Sequence, residues 1–201
     1  MTNAEFLRAA VLAAEDAVRA GAPIQPHAAA AHAANESGYG KSGLAVNARN
    51  LFGVKATGQH TPYWSGDSVT MPTWEVVDGK RVDIRAAFRQ YASWADSFSD
   101  YGDIIARVYP HARADDPNGF LAGLFLTGPR KWATDPHAFD KCARILGIHN
   151  RVINPPDEGT TGTIDTLVLH EFFDSVKEPI ILRSEFATRQ RQGKLDVRRV
   201  R

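Results

Sequence analysis

The chain has 201 residues, 43% of them hydrophobic and 23% charged, with a formal net charge of +1; this is the composition of an average globular domain, which excludes global disorder and supplies material for a core. No apolar run approaches the roughly 18 residues of a membrane span, and the lone Cys142 excludes an internal disulfide and a cysteine-based zinc site. Glu15 and Asp16 fall where a signal peptide requires an uncharged stretch, so the expected product is synthesised in the cytoplasm without a leader.

From the N-terminus, Thr2 and Glu5 have capping-box spacing, and Leu7, Val11, Ala14 and Val18 repeat on one face up to Gly21. That pattern predicts a first helix. A second starts at Pro26, whose missing N–H costs nothing in the first turn, runs through HAAAAHAANES, and stops at Gly38. Its alanine density predicts close packing and a central place. Between Gly53 and about Gln90, strand-like Val69–Val77 and Val82–Phe88 flank Asp78-Gly79, a hairpin turn signal. Pro62 and Pro72 confine any strand there to an edge.

Helical signals then return. Ser93 and Asp96 cap a segment bearing Phe98, Tyr101, Ile105 and Val108, ended before Pro110. A short helix is predicted over 118–126. Asp135-Pro136 opens a last one with Phe139, Cys142, Ala143 and Leu146, closing at Gly147. NPPDEGTTG at 154–162 reads as a linker, after which Ile164, Leu167, Val168 and Phe172 have helical spacing until Pro179. The expectation is a mainly α, α+β chain: a helical domain over 1–150 with an inserted β-hairpin lobe at about 54–91, then a linker and short extension over 151–201.

The small net charge conceals an asymmetry. Residues 183–201 hold seven basic side chains against Glu185 and Asp196, a net of +5, and leave residues 1–182 at −4. The plain reading of this tail is a solvated terminus. Its functional reading is contact with anionic cell-envelope polymers or lipid head groups. Nothing in the body supports nucleic acid as a partner.

Glu36 is the leading candidate for chemistry. It ends an alanine-rich helix, where the helix dipole and nearby apolar surface both disfavour a carboxylate and are expected to raise its pKa toward that of a working general acid. The alternative is an ordinary solvated glutamate. Glu36-Ser37-Gly38-Tyr39-Gly40 is followed by Asn50-Leu51-Phe52-Gly53-Val54-Lys55, Phe88-Arg89-Gln90-Tyr91, Ser97-Phe98-Ser99-Asp100-Tyr101 and Trp132-Ala133-Thr134-Asp135-Pro136. In this order, over roughly residues 5–148, the five segments resemble the glucosaminidases of glycoside hydrolase family 73. These are bacterial and phage peptidoglycan hydrolases with a lysozyme-like fold.

The resemblance implies that Glu36 protonates the glycosidic oxygen and that a second acid lies in the β-lobe. Glu75 is the best match, with Asp67 and Asp83 competing. Cleavage passes through an oxocarbenium-like state, so one group donates a proton and another handles positive charge or water. A nucleophile, a water-activating base and the substrate's own N-acetyl oxygen all remain open for the second role.

The family usually has tyrosine at the place of Trp132, where it is thought to contact the sugar. An indole keeps a stacking platform but donates a hydrogen bond and cannot accept one. Tyr39, Tyr63, Trp64 and Trp74 also suit a saccharide groove, whereas Leu51 and Phe52 suit the core. Asn50 is read either as the cap of its turn or as a partner for an acetamido group.

Metal and cofactor chemistry find no signature. His27 and His32 are five apart, off one helical face, and no HExxH, G-x-S-x-G or phosphate-binding glycine loop occurs. Cys142 is read as core. The expected activity is therefore an endo-β-N-acetylglucosaminidase acting on peptidoglycan glycan strands without metal or cofactor, in a phage endolysin that lyses the cell wall or is carried in a virion. The rivals are a muramidase or lytic transglycosylase, and a phage particle component that binds the wall with little turnover.

Overall fold

Alanine side chains let neighbouring backbones approach closely, and the computed structural model is organised around that fact. It describes residues 1–153 apart from 58–59, 78–79, 113–115 and 134, with the side chains of 74–77, 81 and 148–153 also outside the description. The chain divides into Met1–Thr160 and Thr161–Arg201, and all described residues belong to the first unit. The extension expected over 151–201 therefore lies almost wholly outside the described residues.

Helix α1 (Asn3–Arg19) begins with the expected capping box: Glu5 N–H donates to Thr2 Oγ1 at 3.2 Å and Thr2 N–H to Glu5 Oε2 at 2.7 Å. Its buried face is Phe6, Leu7, Ala10, Val11, Ala14 and Ala17. Val18, expected on that face, is 38% exposed, because Ala17 takes the inward place at the last turn. Helix α2 (Pro26–Ser37) is capped by the Gln25 side chain and stops at Gly38 in the left-handed region. Ala28 to Ala31, His32, Ala33 and Ala34 are all buried. With α1 on it, together with α5 (Pro117–Ala122) and α6 (Ala138–Ile153), α2 is the central helix that its composition predicts.

A six-residue helix α3 (Gly43–Ala48), capped by Ser42, is too short for hydrophobic periodicity to reveal. The lobe is an antiparallel ribbon of β1 (Ser68–Val77) and β2 (Lys80–Arg89), in register from Ser68↔Arg89 to Val77↔Lys80. The Asp78-Gly79 turn itself lies outside the described residues. Pro72 sits opposite Arg85 and is tolerated because a two-stranded sheet leaves one side of each strand unpaired. The ribbon is rooted by backbone bonds: Ala56 N–H to Ala87 O, Arg89 N–H to Val54 O and Tyr91 N–H to Ala48 O, all 2.8–3.0 Å.

Helix α4 (Trp94–Val108) packs on α1 and buries Phe98, Tyr101 and Ile105, each such side chain contributing roughly 1.5–3 kcal/mol. The helix predicted over 118–126 is two pieces, α5 and a π-helical segment, Gly123–Thr127. Helix α6 starts after Asp135, whose carboxylate accepts from His137 N–H at 2.9 Å, and continues past Gly147 to Ile153. A single glycine costs about 1 kcal/mol within a helix and does not by itself end one. Among the described residues no helix is long and apolar enough to cross a membrane.

Candidate active site

The chain leaves α2 through a turn that its sequence prescribes. Gly38, Tyr39 and Gly40 have φ of +58°, +58° and +72°, three consecutive residues in the region that side chains disfavour. Ser37 Oγ holds the turn, donating to Ala33 O at 2.5 Å and accepting from Gly40 N–H at 2.8 Å. A Cβ on Gly40 would lie 2.7 Å from the Phe6 ring. Glycine at 40 is therefore required by φ and by space, and the turn fixes the end of α2 on which Glu36 sits.

Glu36 occupies an exposed position at that end, yet its side chain is only 26% exposed. One turn earlier on the same face, His32 is fully buried and places Nε2 3.5 Å from Glu36 Oε1. The His32 Nδ1 lies 2.9 Å from the Tyr101 hydroxyl. The imidazole is enclosed edge-on by Phe52, Tyr101, Phe125 and Trp132, with centroids 4.9–5.6 Å away. Trp132 is half-buried, and its indole is among the groups that lower the pKa of the Glu36 carboxyl. Its backbone N–H is anchored on Leu124 O of the π-helical segment at 3.0 Å.

These neighbours correct the expectation of a raised pKa at Glu36. Burial is the largest single influence and does push it up, but the neighbouring polar groups, His32 first and then Trp132 and Asn35, together outweigh it. The carboxyl is held below the ordinary glutamate value. The sequence places His32 and Asn35 on the same helix as Glu36, but its local pattern gives no sign of Trp132, which the fold brings to them.

The other predicted site residues divide. Tyr39 is half-buried, its ring edge-on to Phe6 at 6.1 Å. Asn50 is 1% exposed and fully engaged: its Nδ2 donates to Val54 O and Arg89 O, and its Oδ1 accepts from Val54 N–H. Of its two readings the cap is the one realised, and no amide atom remains for an acetamido group. Trp64 is likewise corrected to a structural role. It is 7% exposed, stacks with His60, donates to Asp67 O, and carries the Arg89 guanidinium 4.3 Å from its ring centroid. Trp74 and Glu75 pair through the backbone with Asp83 and Val82; their side chains lie outside the described residues. Asp67 is exposed and accepts from Ser65. Leu51 and Phe52 are core, Phe52 stacking on Tyr101 at 3.9 Å.

His32 is a site residue that the motifs do not single out; its signal in the sequence is its place four residues before Glu36 on one helix, whereas its spacing to His27 speaks only to metal binding. Cys142 is buried beside this cluster, which pushes its thiol up to about 12 and makes it inert.

A part-buried carboxyl beside a histidine enclosed by aromatic rings, on a helical domain with one hairpin, suits the chemistry of a glycoside hydrolase. The model of the glucosaminidase family, described as mannosyl-glycoprotein endo-beta-N-acetylglucosaminidase, matches residues 13–150. The exo-glucosaminidase LytG of Bacillus subtilis is 35% identical over 131 residues, covering 61% of this chain and 43% of that protein. The peptidoglycan hydrolase FlgJ of Vibrio parahaemolyticus is 35% identical over 130 residues, covering 61% of this chain and 40% of its own. The chain thus spans about two fifths of these relatives. The catalytic domain of the autolysin Auto from Listeria monocytogenes superposes with a TM-score of 0.63 at 27% identity, covering 76% of this chain and 88% of the other. This chain belongs to the glucosaminidase family, glycoside hydrolase family 73.

Proposed function

We propose that this protein is a peptidoglycan hydrolase that cleaves the β-1,4 bond after N-acetylglucosamine, with Glu36 as the general acid. The observation that carries the reading is the Glu36 carboxyl, held part-buried between His32 and Trp132 at the end of the central helix. Glu36 donates its proton to the glycosidic oxygen as the bond to the anomeric carbon breaks, and positive charge develops on that carbon and the ring oxygen. In the free protein the donors around Glu36 favour its ionised form. A sugar seated on Trp132 excludes water and adds to burial, the largest influence already present, and so returns the carboxyl toward its protonated form.

Glu75 is the proposed second carboxylate, supported by its place in the hairpin and by the family resemblance. Tyr39, Trp132 and Trp74 are proposed to shape the sugar subsites. Glu36→Gln is the decisive variant: lysis of purified sacculi should vanish while the fold is retained, and activity near wild type would overturn the assignment. Mass spectrometry of the digest distinguishes the linkages. Reducing-end N-acetylglucosamine is expected, a reducing muramic acid end points to a muramidase, and an anhydro end to a transglycosylase.

The replacement of tyrosine by Trp132 favours a second reading, a wall-binding component with little turnover. Comparing glycan binding with turnover separates the two. As to setting, we propose a phage endolysin, supported by the wall-hydrolase class and by the basic residues at 183–201 as a contact for anionic envelope polymers or lipids. Expression inside cells should give lysis only once the inner membrane is permeabilised, and deletion of 183–201 should weaken binding to whole cells more than hydrolysis of purified sacculi.

A further inference from the structure

His32 takes no part in the chemical step proposed above, and its surroundings are unusual for a core histidine. Both ring nitrogens are buried. One is matched to the Tyr101 hydroxyl at 2.9 Å; Nε2 makes no hydrogen bond among the described residues and lies 3.5 Å from Glu36 Oε1. A buried polar nitrogen without a partner is costly, and four aromatic rings hold this one in a single orientation.

Tyr101 determines which nitrogen carries the proton. Complete burial pushes its phenol far above the ordinary value, so it stays protonated and has an O–H to give. Nδ1 is the acceptor within reach. When Nδ1 accepts, the neutral ring carries its proton on Nε2, directed toward the carboxylate. A gap of 3.5 Å is long for a hydrogen bond, as contacts in unliganded catalytic sites often are before substrate tightens them.

We propose that His32 is a positioning residue for Glu36: the Tyr101 hydroxyl fixes its tautomer, and its Nε2–H orients the carboxylate and favours its charged form. This rests on Glu36 being the acid. Among the described residues, the other titratable groups facing the pair are Tyr101 from α4, Tyr109 at the end of that helix and Cys142 from α6, all pushed up by burial. None of them changes charge across the acidic and neutral range. Arg130 acts on Tyr109, while α1 and α5 offer buried apolar residues such as Phe6, Leu121 and Phe120.

The experiment follows the Glu36 side-chain carboxyl by carbon NMR during pH titration, in the wild type and in His32→Leu, His32→Gln and Tyr101→Phe. The Glu36 midpoint should rise by about one unit in His32→Leu, a tenfold change in proton affinity. It should return part of the way in His32→Gln, whose amide restores a donor, and rise by less in Tyr101→Phe. The basic limb of kcat/KM on solubilised glycan strands should move in the same direction and order. A His32→Leu midpoint equal to wild type, or His32→Gln no nearer to wild type than His32→Leu, overturns the proposal. Should His32→Leu not fold, Tyr101→Phe decides: a raised midpoint supports it and an unchanged one overturns it. NMR reads Glu36 without catalysis, so an active Glu36→Gln variant would overturn the acid assignment without confusing this result.

Discussion

Two acidic side chains stand at the two ends of this domain's polar chemistry, and their surroundings differ in one respect. Asp100, on α4, is fully buried and saturated. It receives both contacts of the Arg89 Nη1 at 2.8 and 2.9 Å, the Tyr91 hydroxyl at 2.6 Å and the Thr61 hydroxyl at 2.6 Å. Glu36 is bordered by donors that do not saturate it, and one of them, His32 Nε2, falls short of a hydrogen bond. Every lone pair spent on the protein's own groups is lost to a substrate. Asp100 therefore ties the root of the hairpin to the helical body, and Glu36 keeps capacity for a proton that comes and goes. The resemblance segments Phe88–Tyr91 and Ser97–Tyr101 belong mainly to the first arrangement.

The sharpest test of this contrast is to neutralise each carboxylate in turn. Glu36→Gln should lower kcat on purified sacculi by about 10²–10⁴-fold, the usual range for a lost general acid, with unchanged circular dichroism. Asp100→Asn should do the reverse. It takes from the buried Arg89 guanidinium the carboxylate that it meets at 2.8 Å, at a cost of about 3–5 kcal/mol in denaturant unfolding, while the molecules that remain folded retain turnover. A stable, inactive Asp100→Asn would break the distinction.

Gly40→Ala probes the turn that presents Glu36. The clash with Phe6 and the positive φ should cost about 1–3 kcal/mol of stability, measured by thermal unfolding, and should lower activity through the displaced helix end. Smaller again is the effect of pH. The folded-state pKa of Glu36 lies below its ordinary value, so its stabilising contribution is complete above about 4.5 and is lost as pH falls through the folded value. Wild type should lose stability over that acid window relative to Glu36→Gln, and the two curves should run parallel above it. Parallel curves throughout would mean that the donors around Glu36 do not act on its charge. Trp132→Phe, which keeps a ring and removes the donor, should raise the Glu36 midpoint by a few tenths of a unit, less than His32→Leu.

Local signals accounted for much of the framework. The Thr2–Glu5 box, Pro26 and Gly38, and Ser93 with Asp96 each act within one helical turn, and each is found where its chemistry requires. Elements governed by distant contacts were harder to read. The end of α6 passed its glycine, and the predicted 118–126 helix divided into α and π pieces, with Gly123 pressed against the backbone of His111 and Ala112. Asn50 and Trp64 show why aromatic and amide residues near a motif are ambiguous: their partners are Arg89, Val54, His60 and Asp67, and for both of them Arg89 arrives from a distant strand.

Within an unremarkable, nearly neutral composition, five ordered segments pointed to the family and to the candidate acid, and caps, glycines and alanine runs determined the order of the helices because they act on residues beside them in the chain. Which way the pKa of that acid is pushed waited on tertiary structure. His32 and Asn35 are its neighbours on α2, but its burial, Trp132 and the Tyr101 hydroxyl that His32 meets arrive from elsewhere in the chain, and an electrostatic balance among such groups exists only once the chain has folded.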